Sequence, residues 1–102
     1  MVKATLEYYD KALLPDGGIV EMKIWRLPEA SAERPHGLKY SLYYGTAGKR
    51  IVGYDNEAGK GDHRHLGSGE KAYAFTTLEN LIADFLADVE RVQKFGELFN
   101  DG

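Results

Sequence analysis

Twelve residues from Tyr54 to His65, Y-D-N-E-A-G-K-G-D-H-R-H, hold two Asp, two His, Lys, Arg, Glu and Asn. Two His one residue apart on an extended chain project to one side, because successive side chains alternate. Imidazole changes charge near neutral pH, so His63 and His65 are candidates for taking and giving a proton. Cleaving a phosphodiester in RNA needs a base for the 2′-hydroxyl, an acid for the leaving oxygen, and cations for the charge building on phosphorus. Lys60 and Arg64 are the candidate phosphate ligands, one a point charge and the other a planar fork. Asp55 and Asp62 would orient the imidazoles. Tyr54 and Asn56 join them as candidate RNA contacts, and Tyr40, Tyr43 and Tyr44 offer further faces for unstacked bases.

The same residues admit other readings. Asp62, His63 and His65 are carboxylate and imidazole donors that suit zinc or a similar divalent metal, with Asp55 approaching from a strand end. Gly59-Lys60-Gly61 could present backbone N–H groups to an anion. It is not the phosphate loop Gly-x-x-x-x-Gly-Lys-Ser/Thr, so mononucleotide binding of that kind is not expected. Asp55 and Asn56 could merely shape a turn, and the tyrosines could pack a sheet. His36, between Pro35 and Gly37, reads as structural. Trp25 lies on the polar face of its run and is either partner-binding surface or core.

The 102 residues are 43% hydrophobic and 28% charged, the balance of a soluble globular chain able to bury one core. Residues 1–102 are therefore expected to be a single domain. No apolar run has membrane-spanning length, and the first ten residues have no signal-peptide core. With no cysteine, thiolate metal sites and cysteine nucleophiles are excluded, and a cytoplasmic location is expected. Net charge is −3. It is unevenly placed: Arg34–Lys71 is basic and carries all three His, whereas Thr77–Gly102 has six acids against Arg91 and Lys94. Such asymmetry can mark an anion-binding face on an acidic protein.

Hydrophobic period supplies the elements that must position this chemistry. Residues 4–11 alternate as a strand, with Ala4, Leu6 and Tyr8 on one side. Pro15-Asp16-Gly17-Gly18 is a turn, and Ile19–Leu27 alternates again to complete a hairpin. Leu38–Tyr44 and Lys49–Asp55 form a second hairpin about Gly45-Thr46-Ala47-Gly48. Residues 59–69, with four glycines, read as a loop, followed by a short strand at Ala72–Phe75. Leu78, Leu81, Ile82, Phe85, Leu86, Val89 and Val92 then make a helical stripe. Thr76 and Glu79 have capping-box spacing, and Gly96 suits the helix end. Asp84, Asp88, Glu90 and Arg91 are placed on the outer face. The fold class is α+β: a meander of about five antiparallel strands with a long C-terminal amphipathic helix on one face.

Four strings carry a resemblance: GYDNEAGKGDHRH (Gly53–His65), PDGGIVEMKIWRLP (Pro15–Pro28), HGLKYSLYY (His36–Tyr44) and LIADFLADV (Leu81–Val89). Over nearly its whole length the chain resembles the TumE-type toxin family, small proteins of two-gene toxin–antitoxin modules in bacteria and archaea. Ala58 is a departure, standing where a more polar residue, often Arg, is usual. The resemblance implies a growth-inhibiting toxin neutralised by a cognate antitoxin encoded beside it, often a helix-turn-helix DNA-binding protein. It marks Asp55, Asn56, Glu57, Lys60, Gly61, Asp62, His63, Arg64 and His65 as signature residues without assigning their roles.

Together these readings favour an endoribonuclease toxin using metal-independent acid–base chemistry. A non-enzymatic nucleic-acid or protein binding module, a metal-dependent nuclease and a nucleotidyl-type transferase stand as alternatives. The acidic outer helix face is the expected counterpart of a basic antitoxin segment. Exposed strand edges would permit a homodimer by sheet pairing.

Overall fold

The computed structural model describes residues 4–32, 34–56 and 61–95. Six strands and one helix follow in chain order: β1 (Thr5–Leu13), β2 (Ile19–Arg26), β3 (Leu38–Thr46), β4 (Lys49–Asp55), β5 (His63–Leu66), β6 (Gly69–Ala72) and α1 (Leu78–Phe95). Every strand pairs antiparallel with its sequence neighbour, giving an open meander in the order β1-β2-β3-β4-β5-β6. The expected α+β architecture is observed, with six strands where about five were expected. The sixth arises because part of the expected glycine-rich loop is a hairpin. His63–Leu66 pairs with Gly69–Ala72, so the short strand lies earlier than Ala72–Phe75. A Gly67-centred turn is tight enough to spare most of the segment for pairing, and Gly67 supplies a φ of 57°.

Alternation divides the sheet into two faces. Val20, Met22 and Ile24 of β2, Leu38, Tyr40, Leu42 and Tyr44 of β3, and Val52 and Tyr54 of β4 are buried beneath α1. From the helix, Leu81, Phe85 and Val89 complete this core. The intervening residues, among them Lys23, Trp25, Lys39, Ser41 and Tyr43, lie on a second, helix-free face. Burial of the apolar set at roughly 25 cal/mol per Å² is the main force holding helix to sheet.

Three local expectations change. A bulge between Leu6 and Tyr8 shifts the β1 register, so Leu6 opposes Trp25 while Tyr8 opposes Ile24. Leu6 and Tyr8 therefore occupy opposite faces. At the helix start Thr77 is the cap: its Oγ1 accepts from the Asn80 N–H at 3.0 Å, and its carbonyl accepts from Leu81. Thr76 instead accepts from the Asn80 side chain. Finally, the helix is rolled relative to the expected stripe. Leu86 is 43% exposed, whereas Asp88, expected on the outer face, is 2% exposed. The expected helix end at Gly96 lies outside the described residues.

Candidate functional site

The described residues of the Tyr54–His65 stretch do not gather around one cavity. β5 runs antiparallel to β4, with Asp55 opposite His63, Tyr54 opposite Arg64, and Gly53 opposite His65. Because side chains alternate, His63 and His65 point to the helix-free face while Arg64 and Leu66 point towards α1. Asp62, immediately before the strand, also reaches the helix side. Glu57 and Lys60 lie outside the described residues.

On the helix-free face the two imidazoles each meet a carboxylate. His65 Nε2 is 3.2 Å from Asp55 Oδ2, and His63 Nδ1 is 3.3 Å from Glu70 Oε2. Both pairs are diagonal across adjacent strands, so the β4–β5–β6 register sets them. The His side chains are 18% and 13% exposed, open enough to reach and close enough to the sheet to be held. Register also defines two rows across this face. One runs Lys23, Ser41, Asp55, His63; the other runs Glu21, Tyr43, Gly53, His65, Glu70.

Gly53 leaves a gap in the second row, and Arg50 fills it. A Cβ placed on Gly53 would lie 2.7 Å from the Arg50 Cδ, so the Arg50 stem crosses the sheet between Tyr43 and His65. A bulge at Tyr44/Gly45 makes this possible by bringing Arg50 opposite Gly45. Gly45 is needed there: a Cβ would approach the Lys49 carbonyl to 2.4 Å. Arg50 and Glu70 were not singled out by the sequence reading. The available signals were Glu70's place two residues past a Gly67-Ser68 turn and the glycine three positions after Arg50.

The helix side holds a different set. Arg64 makes a two-pronged ion pair with Asp88, Nε to Oδ2 and Nη2 to Oδ1 at 2.9 Å each, and the Tyr54 hydroxyl donates to the same Oδ2. Burial first, then this donation, pushes the Tyr54 pKa far up and keeps it a neutral donor. Burial pulls the Arg64 pKa down, but bonding to Asp88 outweighs it and leaves it above its ordinary value. The Tyr73 hydroxyl donates to Asp84 at 2.5 Å, and its pKa is raised by burial and by that bond. Asp88, buried, thus faces the protein's own donors, which corrects its assignment to an acidic outer helix face, whereas Asp84 is exposed as expected and accepts from Tyr73 at the surface.

Asp62 receives the Tyr40 hydroxyl at 2.7 Å and lies 3.0 Å from His36 Nε2. Nδ1 of His36 accepts from the Leu38 N–H at 3.2 Å, so Nε2 carries the proton and donates to Asp62. The His36 ring lies 4.0 Å from that of Phe75, tilted by 36°. His36 is therefore a structural residue, held in place and 12% exposed. Asp62 meets this histidine on the helix side, whereas His63 and His65 meet Glu70 and Asp55 on the other face. Among the described residues no group of three or more His, Asp or Glu is arranged to hold a metal.

Tyr54 and Asn56, expected to touch RNA, are each 1% exposed. Asn56 Oδ1 accepts from the Tyr40 N–H at 3.0 Å, and its Nδ2 donates to the Leu38 carbonyl at 2.8 Å. It clamps the end of β3, while Arg34 donates to the Asn56 carbonyl at 3.0 Å. Tyr40 and Tyr44 are core residues, and Tyr43 alone of the four tyrosines proposed as base platforms faces the imidazole side.

Among the described residues, no helix is long and apolar enough to cross a membrane. No curated protein matches the chain, and no solved structure does. A family model described as Toxin TumE matches residues 2–93. With strands β1 to β6 and nearly all of α1 inside that match, the chain belongs to the TumE toxin family.

Proposed function

We propose that this toxin acts by cleaving RNA on its helix-free face, with His63 and His65 exchanging protons with the substrate. The observation that carries the proposal is the pairing of two neighbouring, solvent-reachable imidazoles with separate carboxylates, Glu70 and Asp55, beside the Arg50 stem. One imidazole, in its neutral form, takes the proton of a 2′-hydroxyl as that oxygen attacks phosphorus. The other, as imidazolium, gives its proton to the departing 5′-oxygen. The products are a 2′,3′-cyclic phosphate and a 5′-hydroxyl, and the two histidines have exchanged protonation states. A carboxylate against each ring fixes its orientation.

Arg50 replaces Arg64 as the guanidinium on this face and is placed to meet the phosphate oxygens. Lys23 and Lys39 continue the positive charge along the sheet, and Tyr43 and Trp25 offer ring surfaces for unpaired bases. The row from Lys23 to His63 crosses three strand spacings, about 14 Å, the reach of a short single-stranded segment.

The test is to incubate the purified chain and its His65→Ala variant with total RNA, with and without EDTA. Cleavage that leaves cyclic-phosphate ends, persists in EDTA and disappears in a folded His65→Ala protein is expected. Cleavage abolished by EDTA would mean that a metal carries the chemistry, and intact RNA retained by the protein would mean binding without catalysis. RNA made heavier rather than shorter would reveal group transfer.

A further inference from the structure

The two edges of the sheet are built differently. β6 is four residues long, Gly69–Ala72, fully exposed and charged at Glu70 and Lys71. That is how natural sheets blunt an edge. β1, at the other end, is nine residues long and apolar on both sides. Leu6, Tyr9 and Leu13 are 48%, 49% and 77% exposed on the helix-free side. Beyond the bulge, Tyr8 to Leu13 is a regular stretch whose outer backbone groups meet no neighbouring strand among the described residues.

The helix side of this edge is also incompletely covered. α1 lies over the middle of the sheet and leaves a groove of about 350 Å³ beside β1. Ala12, Leu14 and Met22 form its floor, and Leu86 and Val89 its wall. Asp10 and Glu90 stand on it as acidic groups. The exposure of Leu86, anomalous within the helical stripe, is explained if this groove is an unfilled seat.

We propose that the antitoxin of this toxin adds an extended segment to β1 as a seventh, outer strand. Backbone pairing along Tyr8–Leu13 supplies the affinity that does not depend on sequence. Alternate apolar side chains of the segment fill the groove against Leu86, and Lys or Arg in it meets Asp10 and Glu90. A second copy of this chain suits the edge less well. Pairing two β1 strands about an axis normal to the sheet keeps their faces matched. Such registers centre on a residue, on Asp10 with Tyr8–Ala12 paired or on Lys11 with Tyr9–Leu13 paired, and both set like charges opposite one another. The proposal does not depend on the RNA reading, since β1 and the imidazoles lie at opposite ends of the strand order.

Hydrogen exchange on the whole chain, alone and bound to the antitoxin encoded in the same two-gene module, tests this. Amides of Tyr8–Leu13 are expected to gain roughly tenfold or more protection in the complex. Leu86→Arg and Asp10→Lys, both at exposed positions, should each weaken the complex by about tenfold or more without lowering the melting temperature. Antitoxin binding that leaves β1 exchange unchanged, or no binding at all, overturns the proposal. So does β1 protection already present in the free chain and lost on dilution, which would assign the edge to a second copy.

Discussion

Arg64 sits in the most distinctive string of the chain, and its loss would ordinarily be read as loss of catalysis. The structure predicts loss of the scaffold instead. Arg64→Met leaves the Asp88 carboxylate, 4% exposed, with the Tyr54 hydroxyl and, 4.0 Å away, the largely solvated Arg91 guanidinium. Stranding a buried charge in this way costs about 3–5 kcal/mol. Asp88→Asn strands the other member, but the Arg64 side chain is 29% exposed and reaches water. That change removes charge-assisted bonds worth about 1.5–3 kcal/mol, so it should be the milder of the two. Replacing both, as Arg64→Met with Asp88→Leu, leaves neither charge and should return stability to within about 1–2 kcal/mol of the parent. The residual cost is the Tyr54 hydroxyl without its acceptor. Urea unfolding followed by far-ultraviolet circular dichroism and Trp25 fluorescence gives all four stabilities, with the double variant expected to be about 2–3 kcal/mol more stable than Arg64→Met. Growth inhibition measured on the same proteins separates the roles. A double variant that is folded and toxic makes Arg64 a scaffold residue. If Arg64→Met costs under about 1 kcal/mol, or less than Asp88→Asn, the burial argument fails.

Four other outcomes are expected. Asp55→Asn and Glu70→Gln should each lower RNA cleavage while leaving the unfolding midpoint within about 0.5 kcal/mol of the parent, because both carboxylates are on the surface; an unchanged pH–rate profile would refute their pairing with the imidazoles. Asn56→Ala should cost about 2–4 kcal/mol, since it orphans the Tyr40 N–H and the Leu38 carbonyl in the core; denaturant unfolding reads it directly. Ala47 has a φ of 52° in the Ala47-Gly48 turn, so Ala47→Gly should raise stability by about 0.5–1 kcal/mol; a fall in melting temperature would contradict this. Tyr40 and Tyr54 are raised by burial and by bonds to Asp62 and Asp88, so the folded state cannot ionise them where the unfolded chain does. Their contribution is intact below about pH 10 and declines above it, by about 1.4 kcal/mol per pH unit for each phenol. An alkaline titration of unfolding in which Tyr40→Phe leaves that slope unchanged would refute the assignment.

Sequence period was sufficient for the meander and the helix, because a strand with one buried face must alternate and a packed helix must carry a stripe. It misled at β1, where a one-residue bulge reverses the face of everything beyond it, and at Asp88. That residue falls seven positions after Leu81 and three after Phe85, inside the buried stripe, yet its charge argues for the surface. Partners from the sheet, Arg64 of β5 and Tyr54 of β4, make its burial tolerable.

The chain by itself determined that two imidazoles, two cations and three acids share twelve residues, that the helix has an apolar stripe, and that the chain resembles a toxin family. The tertiary structure decided which of these groups meet. Folding His63–Leu66 into a strand sends neighbours to opposite faces, so His63 and His65 part from Asp62 and Arg64. The register then brings in Glu70 and Arg50 from outside the motif. Sequence proximity is lost across a pleat because one residue along a strand reverses the side chain's direction, whereas pairing joins residues that the chain holds far apart.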